Sequence, residues 1–552
     1  MDDQSAGSAE LPDPGCGELD PRDPRGKDHA TELSPDRLAV PIPPNASHPV
    51  YRQGVDMKSC FRATWPCLAA TTLVMASLAA VAQPAGTLRF GSNQGMDDWE
   101  TLTKPNSIYT SLIYEGLAEV TPDGLGIAPK LATGWKESPR KLEITLREGV
   151  TFHDGTPFDA AAVVKNLERI RDTPGQWRGV FSAVDKFTAV SPTRVDITLR
   201  MPAPNLLPNL ARRGAYMVSP KALADGSYKL TPVGTGPWKY EAKDTVKGLR
   251  TVVSFYDKYY APKSVGPARV EVTHINDPDS LYNALRTGQL DIVWTNPSIA
   301  RRAEREGLKS TWFPSVMWHL QMMDTVKTFN SPKLRQAVCH AINAQEYMDA
   351  ALGGHGKIHT QRLRDGMHGF NPAVKGYPHD LPKAKRLMAE VGNPKLEFTL
   401  ATFDNQRTIA ELFKSQMAQI GIDVKLDFMT FGQFFSTFRS GKYPAAILTD
   451  SQDTGAYDYY LYHYAASGSG NPLKTVFPGV EAAVKEALEA TEVATQTAGW
   501  QKMAKVIDDE ALDCGFFDYA AFWAFNPKRV SNIVSTVGDV AVFRYADARI
   551  AP

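Results

Sequence analysis

The sequence predicts a mixed α/β protein of at least two domains. Short runs that alternate apolar and polar residues indicate strands, and longer apolar stripes that begin with capping residues indicate helices. In the second half of the chain these strands and helices alternate, which favours parallel β-α-β units. A length of 552 residues exceeds what one hydrophobic core usually serves. The 43% hydrophobic content excludes a mainly disordered chain, and the 61 basic and 61 acidic residues argue against a nucleic-acid partner.

The first 82 residues differ from the rest of the chain. Residues 1–56 hold nine prolines and eleven acidic residues, which predicts a disordered upstream extension. Residues 57–82 combine Met57, Lys58 and Arg62 with an apolar run over 67–82 that ends in small residues, as in a secretory signal peptide. We expect translation from Met57 and cleavage after Ala82; a genuine disordered tail is the alternative for residues 1–56.

Removal of the leader changes the composition of the chain. The mature protein, residues 83–552, would keep 54 of the basic and 50 of the acidic residues, and it would be exported to the periplasm. Only Cys339 and Cys514 would remain of the five cysteines. One disulfide and two separate buried thiols are both compatible with the sequence.

Three alternating segments predict strands in the first half of the mature chain. They are residues 87–92, 142–147 and 194–199. The last two alternate so regularly that we expect a half-exposed antiparallel sheet.

Helices are predicted from caps and glycine stops. Asp159 caps one helix, Ser331-Pro332 opens a run that Gly353-Gly354 ends, and Asp380 opens another that Gly392 ends. Residues 407–420 form a further helix, which leads into a strand over 422–426.

Four groups of motifs reach beyond this general description. They are Ala128-Pro129-Lys130-Leu131-Ala132 with the stretch 149–160 around His153-Asp154-Gly155; Gly234-Thr235-Gly236-Pro237-Trp238; Asp277-Pro278 with 284–292; and Leu334-Arg335-Gln336-Ala337-Val338 with 341–343 and 383–392. In this order and spacing the chain resembles the extracytoplasmic solute-binding proteins of the peptide/nickel class, family 5, which serve ABC importers. The resemblance covers roughly residues 86–545.

The resemblance implies a two-lobed periplasmic-binding-protein fold with a hinge and an extra sub-domain. Lobe I would comprise residues 83–313 and 515–552, with the sub-domain inserted near 112–230, and lobe II residues 314–514. A ligand that touches both lobes would stabilise the closed form, which the permease then recognises. We therefore expect a monomer that binds a di- or oligopeptide-like solute and contacts the transmembrane subunits of an ABC permease, with no cofactor, metal or enzymatic activity.

In peptide binders of this family an aspartate of lobe II pairs with the free amine of the ligand. Asp450 stands at the matching position, and Asp453 follows it in the same stretch. Two departures weaken the match: Ile447 stands where the family often has tryptophan, and Thr454 where proline is usual. The alternative for Asp453 is an aspartate of a surface turn.

Two other stretches are predicted to line the cleft. Asn93, Met96 and Asp97 follow the first strand, where open α/β sheets usually contact ligands. Trp318, His319 and Gln321 lie at the predicted first crossing between the lobes. Packing in the core is the alternative for Trp318.

Other ligands and other functions stay open at this point. A receptor for chelated nickel, an opine or glutathione is the first alternative, and a secreted peptide hydrolase the second. His355, His359, His368 and His379 fall in one window, but the glycines beside them argue against a metal-binding helix. The mature chain contains no nucleophile elbow, no phosphate-binding loop and no Cys-x-x-Cys pair.

Overall fold

The structure, a computed structural model, describes residues 84–96, 98–102, 106–173, 178–450, 455–537 and 543–551. The predicted extension and signal peptide, together with Asp97 and Asp453, lie outside the described residues. Strands of the first part are β1 (Thr87–Ser92), β2 (Ala118–Val120), β3 (Ile127–Pro129), β4 (Ala132–Ser138), β5 (Lys141–Leu146), β6 (Val184–Ser191), β7 (Arg194–Leu199), β8 (Trp238–Tyr240), β9 (Arg250–Phe255), β10 (Arg269–His274) and β11 (Ile292–Thr295). Helices of the first part are α1 (Ser107–Ile113), α2 (Ala160–Asp172), α3 (Leu206–Leu210), α4 (Pro220–Asp225), α5 (Pro278–Arg286) and α6 (Pro297–Arg305).

The second part of the chain begins with its longest strand. The strands here are β12 (Lys309–Met322), β13 (Leu396–Phe403), β14 (Ile422–Met429), β15 (Ala445–Asp450), β16 (Asp513–Phe525), β17 (Val530–Ser531) and β18 (Arg549–Ile550). The helices are α7 (Pro332–Ala341), α8 (Ala344–Leu352), α9 (Leu381–Glu390), α10 (Arg407–Ala418), α11 (Phe431–Phe438), α12 (Ala456–His463), α13 (Pro478–Glu489) and α14 (Val493–Asp509). No helix among the described residues is long and apolar enough to cross a membrane.

Strands β12 and β16 organise the main sheet. Within the described residues its order is β14-β13-β15-β12-β16-β11-β1-β10-β9-β8. The two central strands pair antiparallel, from Lys309 opposite Phe525 to Gln321 opposite Asp513. The C-terminal end of β16 pairs with β11, whereas the C-terminal end of β12 pairs with β15. The chain therefore passes twice between the two ends of the sheet, along this strand pair.

The two ends of the sheet carry separate packing layers. The first lobe is the part around β8–β11, where β1 packs Phe90 against the rings of Trp523 and Tyr545, and α5 and α6 lie on other residues of β11 and β16. The second lobe is the part around β13–β15, where α7–α10 cover one face and α11 packs on other residues of β13 and β15. The bounds predicted for the lobes stay a prediction.

Several local predictions are confirmed. β1 spans the predicted residues 87–92, and the antiparallel sheet of the first half exists, with Leu142 of β5 opposite Ile197 of β7. The Asp159 side chain accepts a hydrogen bond from the Ala162 N–H at the start of α2, so the predicted cap is formed. β13, α10 and β14 make the predicted parallel β-α-β unit.

Two of the motif segments meet in the first lobe. The His153 N–H donates to the Gly234 carbonyl oxygen (2.9 Å), and His153 Nε2 donates to that of Gly236 (2.8 Å). A Cβ atom at Gly234 would lie 2.1 Å from the Ile113 carbonyl oxygen, so only glycine fits there. These motifs therefore join α1 to the neighbouring loops and serve the fold.

The helical run predicted from Ser331 to Gly353 is wrong in one respect, because it consists of two helices. α7 ends at Ala341, and the Asn343 side chain caps α8 by accepting from the Glu346 N–H. Asparagine forms caps readily because its side chain replaces a missing backbone acceptor.

A disulfide joins Cys339 of α7 to Cys514 of β16. The bond spans 175 residues of sequence and lies in the core of the second lobe. The sequence left open a disulfide or two separate thiols, and the structure contains the disulfide.

Candidate functional site

The candidate site begins where β12 passes from one lobe to the other. Met317 of β12 pairs with Asp450, the last residue of β15, on one side and with Asp518 of β16 on the other. Register shifts interrupt the β12–β16 pairing between Pro314 and Val316 and again after Trp318. Such irregularities bend a strand pair locally. The backbone of Asp450 thus lies at the bend between the lobes.

A buried ion cluster lies beside this point. The Asp518 carboxylate, 2% exposed, accepts hydrogen bonds from Arg364 Nη2 (2.5 Å) and His359 Nε2 (3.0 Å). Residues 357–359 lie alongside β16 and are held there by two backbone hydrogen bonds. The Asp518 N–H donates to the Lys357 carbonyl oxygen, and the His359 N–H donates to the Phe516 carbonyl oxygen. Burial lowers the pKa of Arg364, which the Asp518 charge partly offsets. A buried carboxylate needs such partners, because an unpaired charge in the interior is costly.

A second buried acid, Asp513, lies on the same strand. Its Oδ2 accepts from the hydroxyls of Tyr459 and Tyr464 (2.7 Å for Tyr464), and His319 Nδ1 lies 3.7 Å from the same oxygen. Burial raises the pKa of the Asp513 carboxyl, and His319, the two tyrosines and Arg362 offset part of that rise. The network fixes the interior side of the second lobe next to the crossing.

Helix α12 is attached to β12 through Gln321. Gln321 Nε2 donates to the carbonyl oxygens of His463 (3.1 Å) and Gly470 (3.2 Å). Its Oε1 is then the acceptor for His463 Nδ1 (2.7 Å), so Nδ1 carries the proton of the His463 ring. Gln321 and Tyr459 together hold both the C-terminal end and the middle of α12 against the sheet.

The opposite side of α12 reaches the first lobe. The Asp458 carboxylate accepts from Asn205 Nδ2 (2.5 Å) and Asn209 Nδ2 (3.1 Å), which belong to the start and body of α3. Nearby, a Cβ atom at Gly366 would lie 2.9 Å from the Leu125 side chain of the first lobe. The described residues of α12 and of 357–366 therefore meet the first lobe directly, at α3 and at Leu125.

The structure places the predicted site residues in three different environments. His319 and Gln321 are buried in the network beside the crossing, and the Asp450 backbone lies at the crossing itself. Trp318 is 2% exposed, packs against Phe517 in the core and stacks on the exposed ring of Tyr519. Ligand binding by these four residues stays a prediction.

Asn93 and Met96 lie in the first lobe after β1. Asn93 is exposed, and Met96 packs half-buried against the core that contains Phe90. The backbone of this segment is held by Tyr109 and Asn106, which donate to the carbonyl oxygens of Gln94 (2.8 Å) and Gly95 (3.0 Å). The ligand-binding role of Asn93 and Met96 also stays a prediction.

The four histidines of the 355–379 window have separate surroundings. His355 packs edge-on against Trp312 and Phe522, and His359 bonds Asp518. His368 lies beside Thr497, and His379 is exposed. Among the described residues no group of three or more histidine, cysteine or acidic side chains is placed to hold a metal ion.

Sequence reasoning missed the buried acids Asp513 and Asp518. The available signal was their position within an otherwise apolar strand, since a charge in such a run requires buried partners. Asn205, Asn209 and Asp458 carried no such signal, because polar residues on short helices are common at surfaces.

Comparison with known proteins identifies the family. Residues 126–472 match the model of the bacterial extracellular solute-binding proteins, family 5, middle region. The chain belongs to this family. The glutathione-binding protein GsiB of Salmonella paratyphi A is 28% identical over 385 residues, which cover 67% of this chain and 72% of that protein. GsiB of Escherichia coli O1:K1 is 28% identical over 380 residues, 66% of this chain and 73% of that one.

Two solved structures share the fold. NikA from Brucella suis, in complex with Fe(III)-EDTA, has a TM-score of 0.75 at 21% identity, and the match covers 85% of this chain and 100% of that one. The binding protein AgaA from Agrobacterium tumefaciens R10, in complex with agropinic acid, has a TM-score of 0.72 at 23% identity, with 85% and 99% covered. The two-lobed periplasmic-binding-protein fold expected from the sequence is therefore confirmed, and the chain is a solute-binding protein of the class that serves ABC importers.

Proposed function

We propose that this chain is a periplasmic receptor that binds a di- or oligopeptide-like solute between its lobes and delivers it to the permease of an ABC importer. The observation that carries the proposal is the position of Asp450, at the end of β15 and opposite Met317, where the strands pass between the lobes. A carboxylate at this position can pair with a free amine that both lobes enclose. The mature receptor would start after Ala82 and act as a monomer.

Pairing with an amine fits the chemistry of a solute that is enclosed between two lobes. A solute ammonium that leaves water needs a counter-charge, since burial of an isolated charge is very costly. Asp513 and Asp518 already have partners among the described residues, namely two tyrosines for Asp513, and Arg364 with His359 for Asp518. We therefore assign the amine-binding role to Asp450, with Asp453 as a second candidate.

Glutathione is the second candidate solute, and the relatives favour it. The curated relatives at 28% identity are glutathione-binding proteins, and glutathione is itself a tripeptide with a free amine. Chelated nickel and opines are weaker alternatives. The solved structures nearest to these alternatives hold Fe(III)-EDTA and agropinic acid, and at 21–23% identity they show a shared fold alone.

Titration of the intrinsic fluorescence tests the proposal. Dialanine, trialanine, reduced glutathione and a nickel chelate are added to the purified mature protein, and a saturable change reports binding. A free-amine peptide is compared with its N-acetylated form, which lacks the ammonium charge. We expect acetylation to weaken binding at least about a hundredfold, because one partner of an enclosed charge pair is removed.

The variant Asp450→Asn assigns that effect to one residue. It should strongly weaken binding of the free-amine peptide and leave the affinity for the acetylated peptide within about threefold of that of the unsubstituted protein. The losses from acetylation and from the substitution are then not additive. Asp423→Asn, on the exposed edge strand β14, is the matched control. Equal losses for both peptides would remove the amine-pairing assignment. Peptides recovered cleaved after incubation, as judged by mass spectrometry, would instead support the hydrolase alternative.

A further inference from the structure

Helix α12 connects the interior of the second lobe to the first lobe. On the inner side Tyr459 bonds Asp513 and His463 bonds Gln321. Asp458 immediately precedes Tyr459 and contacts Asn205 and Asn209 of the first lobe. The contact joins residues about 250 positions apart, and it belongs to neither lobe alone.

The contact consists of one carboxylate that accepts hydrogen bonds from two buried asparagine side chains. Asn205 and Asn209 are 4% and 5% exposed, and one turn of helix separates them. One N–H of Asn209 Nδ2 donates to the Asn205 carbonyl oxygen (2.9 Å), which fixes the amide with its other N–H directed to Asp458. Hydrogen bonds to a carboxylate are shorter and stronger than those between neutral groups. Separation of the two lobes would remove this carboxylate from two buried amides.

We propose that Asp458 is a positioning residue that stabilises the closed form through Asn205 and Asn209 and does not touch the solute. The inference rests on the proposed function in one respect, namely that the two lobes close around a solute. Asp458 lies eight residues after Asp450 in the chain, on the helix that follows the proposed amine site. The observed affinity for any solute is the intrinsic affinity multiplied by the closed fraction of the protein. A residue that changes only this fraction changes the affinity for every solute by the same factor.

A double-mutant cycle tests the contact, with Asp458→Asn, Asn205→Asp and the variant that carries both substitutions. Asp458→Asn replaces the carboxylate by an amide, and Asn205→Asp places two carboxylates at the 2.5 Å contact. We expect the first to weaken glutathione and dialanine equally, by about tenfold, and the second to weaken both further through repulsion. The double variant restores one amide–carboxylate pair, and its affinities should return to within about threefold of the unsubstituted protein. Asp423→Asn serves again as the control.

Small-angle X-ray scattering gives a second measurement that needs no solute. Asn205→Asp should enlarge the radius of gyration, and the double variant should bring it back. A shift in the preference of Asp458→Asn between glutathione and dialanine would show that Asp458 touches the solute, and would overturn the inference. The inference would also be overturned if none of the variants changed either the affinities or the radius of gyration. If none of the solutes binds the unsubstituted protein, the proposed function fails, while the scattering still decides the closure contact.

Discussion

Removal of the Cys339–Cys514 disulfide should lower the stability of the second lobe substantially. The variant Cys339→Ala/Cys514→Ala releases a loop of 175 residues in the unfolded chain. The loop-entropy relation gives about 17 cal/mol/K for that length, or about 5 kcal/mol at 25 °C. Residual structure in the unfolded state reduces such values, so we expect a loss of about 3–5 kcal/mol in the free energy of unfolding.

Equilibrium unfolding in urea, followed by tryptophan fluorescence, measures this loss. Trp318 and Trp500 are buried in the second lobe and report its unfolding. Cys339→Ala and Cys514→Ala alone should each lose nearly as much as the double variant, because either substitution removes the whole bond. A loss below about 1 kcal/mol in the double variant would refute the loop argument. Two reactive thiols in the denatured, unreduced protein would refute the bond itself.

Two further predictions concern a carboxyl group and a glycine. Burial raises the pKa of Asp508 from 3.8 to about 6, so the folded state holds its proton more tightly and stability falls as the pH rises from about 4 to 6. Asp508→Asn should therefore raise the free energy of unfolding at pH 7.5 by about 1–2 kcal/mol, allowing for partial exposure, and leave it unchanged at pH 3.5. Urea unfolding at both pH values measures the two free energies. An equal gain at both pH values would show that deprotonation of Asp508 is not its cause. Gly234→Ala should lower the free energy of unfolding by about 3 kcal/mol or more, since its Cβ would meet the Ile113 carbonyl oxygen at 2.1 Å. Gly179→Ala is the control: its Cβ would enter open space, and the free energy of unfolding should change by under about 0.5 kcal/mol in the same assay.

Local structure was predictable where the signal was local. β1, the β5–β7 pair and the Asp159 cap follow from alternation and from side chains that bond their own helix start. The break between α7 and α8 was missed, because Asn343 reads as a tolerated interior residue until its side chain is seen to cap. β12 was not predicted as a strand, and its residues 318–321 were placed only at the crossing between the lobes, since its second half is buried on both faces and shows no alternation.

The site was less predictable than the fold, because it depends on pairing between distant segments. Asp450 was selected from the family resemblance, but its place opposite Met317 follows from the register of β15 on β12. The contacts of Asp458 with Asn205 and Asn209 depend on how two lobes meet, and no periodicity within either helix encodes that. The sequence analysis did not select His463, whereas its bond with Gln321 holds the C-terminal end of α12 against the sheet.

The place of β16 in the sheet has a consequence for how the protein is made. Its residues, Asp513–Phe525, come late in the chain, yet the strand lies between β12 and β11 and belongs to both lobes. Later still, the Tyr545 hydroxyl donates to the Ile108 carbonyl oxygen in the core of the first lobe. Multidomain chains commonly fold from the N-terminus during synthesis, but here neither lobe can complete its sheet until almost the whole chain has been translated. If the chain is exported as we propose, this order of folding would leave it unfolded while it is threaded through a secretion channel.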